Sequence, residues 1–159
     1  MATLSFNNLV GTAGEYYVCA ELCRRGFLAL LTPKNNPIFD VLVTSADGTK
    51  TISIQVKTRS IKNKQGWKLG PDMALKKQGL FVVLVNMHEN GLPDFYVYQH
   101  GVLAARVNEV YRAYMAKPKK DGTTKKEVGF RWFDEISFKE DDRSRKNNWK
   151  AIEEALRTT

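Results

Sequence analysis

The chain has 159 residues, 43% of them hydrophobic, enough for one domain spanning residues 1–159 with a core that needs no disulfide staple. Lysine and arginine number 25 against 17 aspartate and glutamate, a net charge of +8 and a pI near 9.5, which favours a polyanionic partner, with a merely cationic surface as the plain alternative. No apolar run approaches the ~18 residues of a membrane span, and residues 1–10 lack a charged leader before an apolar stretch, so the expectation is a cytoplasmic protein with no membrane partner.

In chain order, residues 11–25 read as a helix, with Val10, Ala13, Val18 and Leu22 near one face and Gly26 placed to end it behind Arg24 and Arg25. Cys19 and Cys23 lie on this helix. A C-x-x-x-C pair without further ligands is a poor zinc signal, and reduced thiols near a core suit the cytosol. Residues 27–31 form a short apolar strand, and Pro33-Lys34-Asn35-Asn36-Pro37 is a loop. Residues 38–44 are β-prone apart from Asp40, and Asp47-Gly48 marks a hairpin turn. Residues 51–58 then alternate: Ile52, Ile54 and Val56 point one way, Thr51, Ser53, Gln55 and Lys57 the other.

Residues 60–78 are polar, with Lys62, Lys64 and Lys68 around Trp67. Residues 80–85 are a continuous apolar run of the kind a central strand needs. A turn at Asn90-Gly91-Leu92-Pro93 leads to a strand over 95–98, a helix over 102–115 and a basic loop over 117–126 with Lys117, Lys119, Lys120, Lys125 and Lys126. Trp132, Phe133, Ile136 and Phe138 read as apolar anchors, and residues 147–157 as a last helix with Trp149, Ile152 and Leu156 on one face. The order predicts an α/β or α+β fold with a mixed sheet. His88 and His100 have no ligand-spaced partner in the sequence and receive no chemical role.

Asp40 interrupts an apolar strand, where an ionised carboxylate has to be paired, hydrogen-bonded or metal-bound. Gln55 and Lys57 share a face, with Cα atoms roughly 6.5–7 Å apart, and the hairpin can lay that face beside Asp40. Glu15 falls on or beside the apolar stripe of the first helix. Singly, these residues fit a salt-bridged strand end, a solvated strand face and a surface helix position. Together they offer oxygens to Mg²⁺ from Asp40, the Gln55 amide and the Val56 carbonyl, with Lys57 as a cation for a phosphate.

Residues 11–60 resemble the PD-(D/E)XK nuclease superfamily. The resemblance lies in Gly11-Thr12-Ala13-Gly14-Glu15 opening the helix, Cys23-Arg24-Arg25-Gly26-Phe27 closing it, Pro37-Ile38-Phe39-Asp40, and Ile54-Gln55-Val56-Lys57-Thr58. The pattern is similar to that of Holliday-junction resolvases and of restriction-type enzymes whose second acidic position is glutamine. It implies a restriction endonuclease-like core, a mixed sheet flanked by helices in the order α-β-β-β-α-β, and divalent-metal hydrolysis of phosphodiesters. By position it implies Asp40 as metal ligand, Gln55 at the D/E position, Lys57 as catalytic lysine and Glu15 as the helix acid, so that Asp40, Gln55, Val56 and Glu15 form the metal set. Gln55 brings no charge, which weakens the metal site unless Glu15 compensates.

The expected function is a Mg²⁺-dependent DNA endonuclease, with Mn²⁺ able to substitute, directed by backbone and shape because no base-reading motif is present. Arg59, Lys62, Lys64 and Lys68 follow the site and are expected to track the DNA backbone. Cutting both strands calls most simply for a homodimer. The alternatives are a catalytically silent nucleic-acid-binding domain that kept the fold, which Gln55 favours, and a protein-interaction domain with incidental charge.

Overall fold

The computed structural model describes residues 5–34, 36–70, 73 and 78–157. Helix α1 (Phe6–Cys23) leads into strands β1 (Leu28–Leu31), β2 (Val41–Thr44) and β3 (Thr51–Arg59). Short β4 (Trp67–Leu69) precedes β5 (Leu80–Asn86) and β6 (Asp94–Gln99), which runs into helix α2 (His100–Ala116). Strand β7 (Arg131–Phe133) and helices α3 (Glu140–Ser144) and α4 (Lys150–Leu156) complete the chain. The main sheet has the order β1-β2-β3-β5-β6, and β4 pairs with β7 in a separate ribbon. Among the described residues only β3 and β5 are parallel; the other pairs are antiparallel. The fold class is therefore α/β with a mixed sheet flanked by helices, as expected. The helix implied between the third strand and the next falls on the 60–79 crossover, whose described part holds β4; residues 71, 72 and 74–77 lie outside the described residues.

Helix α1 starts earlier than its apolar periodicity indicates. Ser5 caps it, its side chain accepting from the Asn8 N–H, a cap the sequence offers and the apolar stripe does not reveal. Gly26, at φ +89°, lets the Phe27 N–H reach back to the Leu22 carbonyl at 3.1 Å and ends the helix as expected. On one side of the sheet, Val18 and Leu22 of α1 pack with Trp149, Ile152 and Leu156 against Val43, Ile54, Val56 and Val83. On the other side, Leu103 and Val107 of α2 and Trp67, Leu69 and Phe133 of the ribbon cover Val82, Leu84, Tyr96 and Tyr98. Buried Asp142 fastens this second layer, accepting from Tyr98 Oη at 3.1 Å, Arg106 Nε at 2.9 Å and the Lys139 N–H at 2.9 Å. A buried carboxylate is tolerated there because each of these donors faces it.

The polar stretch after β3 departs from expectation. Trp67 is buried, with Nε1 donating to the Val85 carbonyl at 2.9 Å and its ring stacked on Phe138. Ile136, read as an apolar anchor, is 93% exposed, because it sits on a 3₁₀ turn that Asp134 caps while Phe133 and Phe138 on either side turn inward. The last helix begins at Lys150 rather than 147, since Asn147 takes a left-handed φ of 52°. Among the described residues no helix is long and apolar enough to cross a membrane.

Candidate active site at the β2–β3 junction

Asp40 sits one residue ahead of β2, and backbone bonds fix it from two sides. Its N–H donates to the Ile54 carbonyl at 2.9 Å, and its own carbonyl accepts from the Thr32 N–H at 2.9 Å. The Val41–Ile54 register, carried one step further, sets Asp40 across from Gln55. Its carboxylate is also held: Oδ2 accepts from the Val56 N–H at 2.7 Å. Because the N–H and C=O of one strand residue point to the same side, the Val56 carbonyl is directed past the end of β2 toward the same place.

Strand β3 alternates as the sequence indicates. Ile52, Ile54 and Val56 are buried under α1, while Gln55 and Lys57 are half-buried on the opposite face. Their parallel partners Val82 and Leu84 belong to the layer under α2 and the ribbon. Gln55 and Lys57 thus lie on the part of that face which the second layer leaves open.

Glu15 comes from α1, and a close approach of helix to sheet places it. A Cβ on Gly14 would lie 1.9 Å from Thr58 Oγ1, so only glycine lets the helix seat here. Glu15 and Asp40 line one cleft of about 440 Å³ together with Thr12, Thr32, Lys34 and Asn36. Burial, and after it the negative charge of Asp40, raises the Glu15 carboxyl above its ordinary range, while Lys34 and Lys57 act in the opposite direction. Glu15 and Asp40 thus share the cleft, and Lys57 acts on Glu15 as the smallest of these charges. Gln55, Val56 and Lys57 adjoin this cleft on β3 and do not line it.

Two carboxylates lining one cleft, beside an amide oxygen and a carbonyl on the adjoining strand, form an oxygen-rich donor set that suits a hard divalent cation. Among the described residues no three His, Cys, Asp or Glu side chains gather as a metal cluster; a cation held here would draw its further protein oxygens from Gln55 and the Val56 carbonyl. Lys34, Thr32 and Asn36 were not singled out in the sequence. Nor was Asn8, which with Gly11, Thr12 and Glu15 makes a polar stripe whose i, i+3, i+4, i+7 spacing marks the helix face on the cleft.

The expected DNA-tracking residues divide. Lys62, Lys64 and Lys68 are exposed, Lys62 over the Phe6 ring and Lys68 over Phe130. Arg59 is a correction. Its side chain is 13% exposed, donates to Asn86 Oδ1 at 2.7 and 2.9 Å and to Glu135 Oε2 at 2.8 Å, and lies over Trp67. Arg59 therefore bonds the end of β3 to the ribbon side instead of meeting solvent. Burial pushes the Glu135 carboxyl up, but Arg59 and Tyr96 outweigh it and hold Glu135 below its ordinary range.

No protein-family model matches the chain, and no curated protein matches it in sequence. Among solved structures it is similar to the bacterial homing endonuclease I-Ssp6803I, at 14% identity with a TM-score of 0.56, covering 97% of this chain and 95% of that one. A looser likeness, to the Holliday junction resolvase Hjc of the archaeal hyperthermophile Archaeoglobus fulgidus, has 15% identity and a TM-score of 0.45 over 80% of this chain and 86% of that one. A mixed five-stranded sheet flanked by helices, matched over nearly its whole length by the I-Ssp6803I structure, gives this chain a restriction endonuclease-like fold.

Proposed function

We propose that the chain is a divalent-metal-dependent DNA endonuclease that hydrolyses phosphodiester bonds at the Asp40–Gln55–Lys57 junction. The observation that carries this reading is the Asp40 carboxylate, fixed by the Val56 N–H against the Gln-x-Lys strand with the Glu15 carboxyl close by. Asp40, Glu15, the Gln55 amide oxygen and the Val56 carbonyl are the residues that would hold Mg²⁺, or Mn²⁺ in its place. The cation supplies positive charge against the scissile phosphate and acidifies a water.

The remaining chemistry belongs to side chains. Lys57 has a compact ammonium on a flexible stem, suited to stabilising charge that develops on the phosphate oxygens. Lys34, which lines the same cleft, adds a second cation that helps to seat a polyanion there. Asp40 is oriented before any ligand arrives, which lowers the cost of assembling the site. Lys62, Lys64 and Lys68 follow the DNA backbone without reading bases. A homodimer then presents two such sites to the two strands of a duplex.

The second reading is a nucleic-acid-binding domain that kept the fold without the chemistry. Gln55 favours it, being neutral where a carboxylate would add charge to the metal set. Labelled duplex, branched and single-stranded DNA incubated with and without Mg²⁺ or Mn²⁺ separates the two. Cleavage that needs the metal and disappears in both Asp40→Asn and Lys57→Ala supports the endonuclease. Binding without cleavage under every metal supports the silent domain. Gln55→Glu refines the role of the amide: a carboxylate there tightens metal binding if Gln55 is a ligand, and damages catalysis if its NH₂ group orients a water.

A further inference from the structure

A second cleft, of about 750 Å³, lies between the end of α2 and β7, apart from the candidate active site. Tyr111, Tyr114, Phe130 and Trp132 line it with Lys117 and Lys126. None of these rings belongs to either buried core cluster, and Tyr114 is 56% exposed. The ribbon explains why. Trp67 and Phe133 pair across it and point inward, so their neighbours Lys68 and Trp132, also a cross-strand pair, point outward.

Cations accompany the rings. The Arg131 guanidinium is 3.5 Å from the Tyr111 ring centre, Lys125 Nζ is 4.0 Å from that of Tyr114, and Lys68 Nζ is 4.6 Å from that of Phe130. Of the acids on the walls, Glu109 is paired with Arg106 and Lys139, and Asp134 caps the turn that carries Ser137. Among the described residues no ion pair ties Lys68, Lys117, Lys125, Lys126 or Arg131 to a carboxylate. The cleft is thus aromatic and uncompensated in positive charge. An acidic peptide would answer the charge and leave the rings unused, whereas a nucleic-acid strand with its bases unstacked answers both.

We propose that this cleft binds single-stranded nucleic acid, its rings stacking on unpaired bases and its lysines meeting the phosphates between them. Side-chain packing connects it to the candidate site. Arg59 shares the β3 face of Lys57 and lies over Trp67, and the next residue, Lys68, lies over Phe130. Exposed Lys68 thus stands at the rim of this cleft, and the basic segment proposed to track the DNA backbone leads to it. The inference deepens the endonuclease reading, and it points to a substrate with an unpaired segment beside the cut.

The test is a titration of the protein with a short oligothymidylate in EDTA, followed by tryptophan fluorescence. Trp67 and Trp149 are 1% and 2% exposed, so Trp132 is the residue a base can quench. The expected result is quenching by the single strand that a blunt duplex of the same length does not match. Trp132→Leu should weaken binding about 5- to 150-fold, and Trp132→Phe, which keeps a π face, should retain most of it. Replacing Lys117 and Lys126 by glutamine should flatten the salt dependence by about 0.7 in slope for each phosphate that is no longer neutralised. If Trp132→Leu does not fold, the lysine pair and an abasic oligonucleotide decide the matter. Equal affinity for the abasic strand, equal quenching by duplex, or an unchanged Trp132→Leu affinity would overturn the proposal. Because no metal or cleavage enters this measurement, its failure leaves the Asp40 and Lys57 tests standing, and their failure leaves this one intact.

Discussion

Strands β3 and β5 lie side by side in parallel register, yet they meet different surroundings. All of β5, Leu80–Asn86, is buried, since α1 and α4 cover one face and α2 with the ribbon covers the other. On β3 the face under α1 is equally dry, but its second face is only half covered at Gln55 and Lys57. A strand between two layers has no place for a free charge, whereas one at the margin of a layer can hold polar groups in a partly desolvated setting. That margin is where β2 ends, so the Asp40 carboxylate and the Val56 backbone reach it as well.

The largest expected effect falls on chemistry. Under the endonuclease reading, Lys57→Ala and Asp40→Asn should each lower metal-dependent cleavage by at least about 100- to 1,000-fold. Thermal unfolding should move little for Lys57→Ala, because Lys57 is only half-buried and lies outside both apolar cores. A large loss of stability in that variant would mean that β3 is as enclosed as β5. One strand away the effect should change kind. Leu84→Ala, directly paired with Lys57, removes a fully buried side chain and should cost about 2–5 kcal/mol in denaturant unfolding. Folded Leu84→Ala protein should still cleave.

The contrast between the strands also explains what was legible in the sequence. The β5 run and the β3 alternation are periodic signals, and both elements fall where the pattern puts them. Asp40, Gln55 and Lys57 stood out because polar residues interrupted an apolar pattern. Three features left no such mark. The first turn of α1 has a Ser cap but an exposed Phe6 and Leu9, so its apolar stripe begins too late. Strand β4 is three residues long, and the pairing that buries Trp67 comes from β7, more than sixty residues on. Arg59 continues the run of cations after the site, and only the fold brings Glu135 to it.

The helix side of the same margin supplies a smaller effect. Gly14→Ala gains helix propensity, about 1 kcal/mol, but its Cβ would lie 1.9 Å from Thr58 Oγ1 and 3.0 Å from Thr58 Cβ. Overpacking of this sort costs about 1–3 kcal/mol, and a displaced helix moves Glu15 from the cleft. The expected result is a lower melting temperature together with weaker cleavage. Thr58→Ala in the same background removes the shortest contact and should restore part of both. Thr58 Oγ1 is buried with no hydrogen-bond partner among the described residues, so its removal strands no donor. If Gly14→Ala is as stable and as active as the parent, the close seating of α1 does not control the site.

The smallest effect is electrostatic. Burial and Asp40 raise the Glu15 carboxyl above its ordinary range, so the folded state binds that proton more tightly than the unfolded chain does. Its favourable contribution is complete below the unfolded pKa, about 4.3, and is lost as pH rises through the higher folded value. Glu15→Gln should therefore match the parent in melting temperature near pH 3 and exceed it slightly at pH 7. The gain should be modest because the carboxyl is half exposed and solvent screens its repulsion from Asp40. Mg²⁺ turns this into a test of the metal set. If Glu15 and Asp40 hold the cation together, adding Mg²⁺ at pH 7 stabilises the parent through binding to the folded state. It should stabilise Glu15→Gln less and Asp40→Asn least, so that the order of melting temperatures at saturating metal reverses. The same order with and without Mg²⁺ would remove Glu15 from the metal set and leave it as a repulsive neighbour of Asp40.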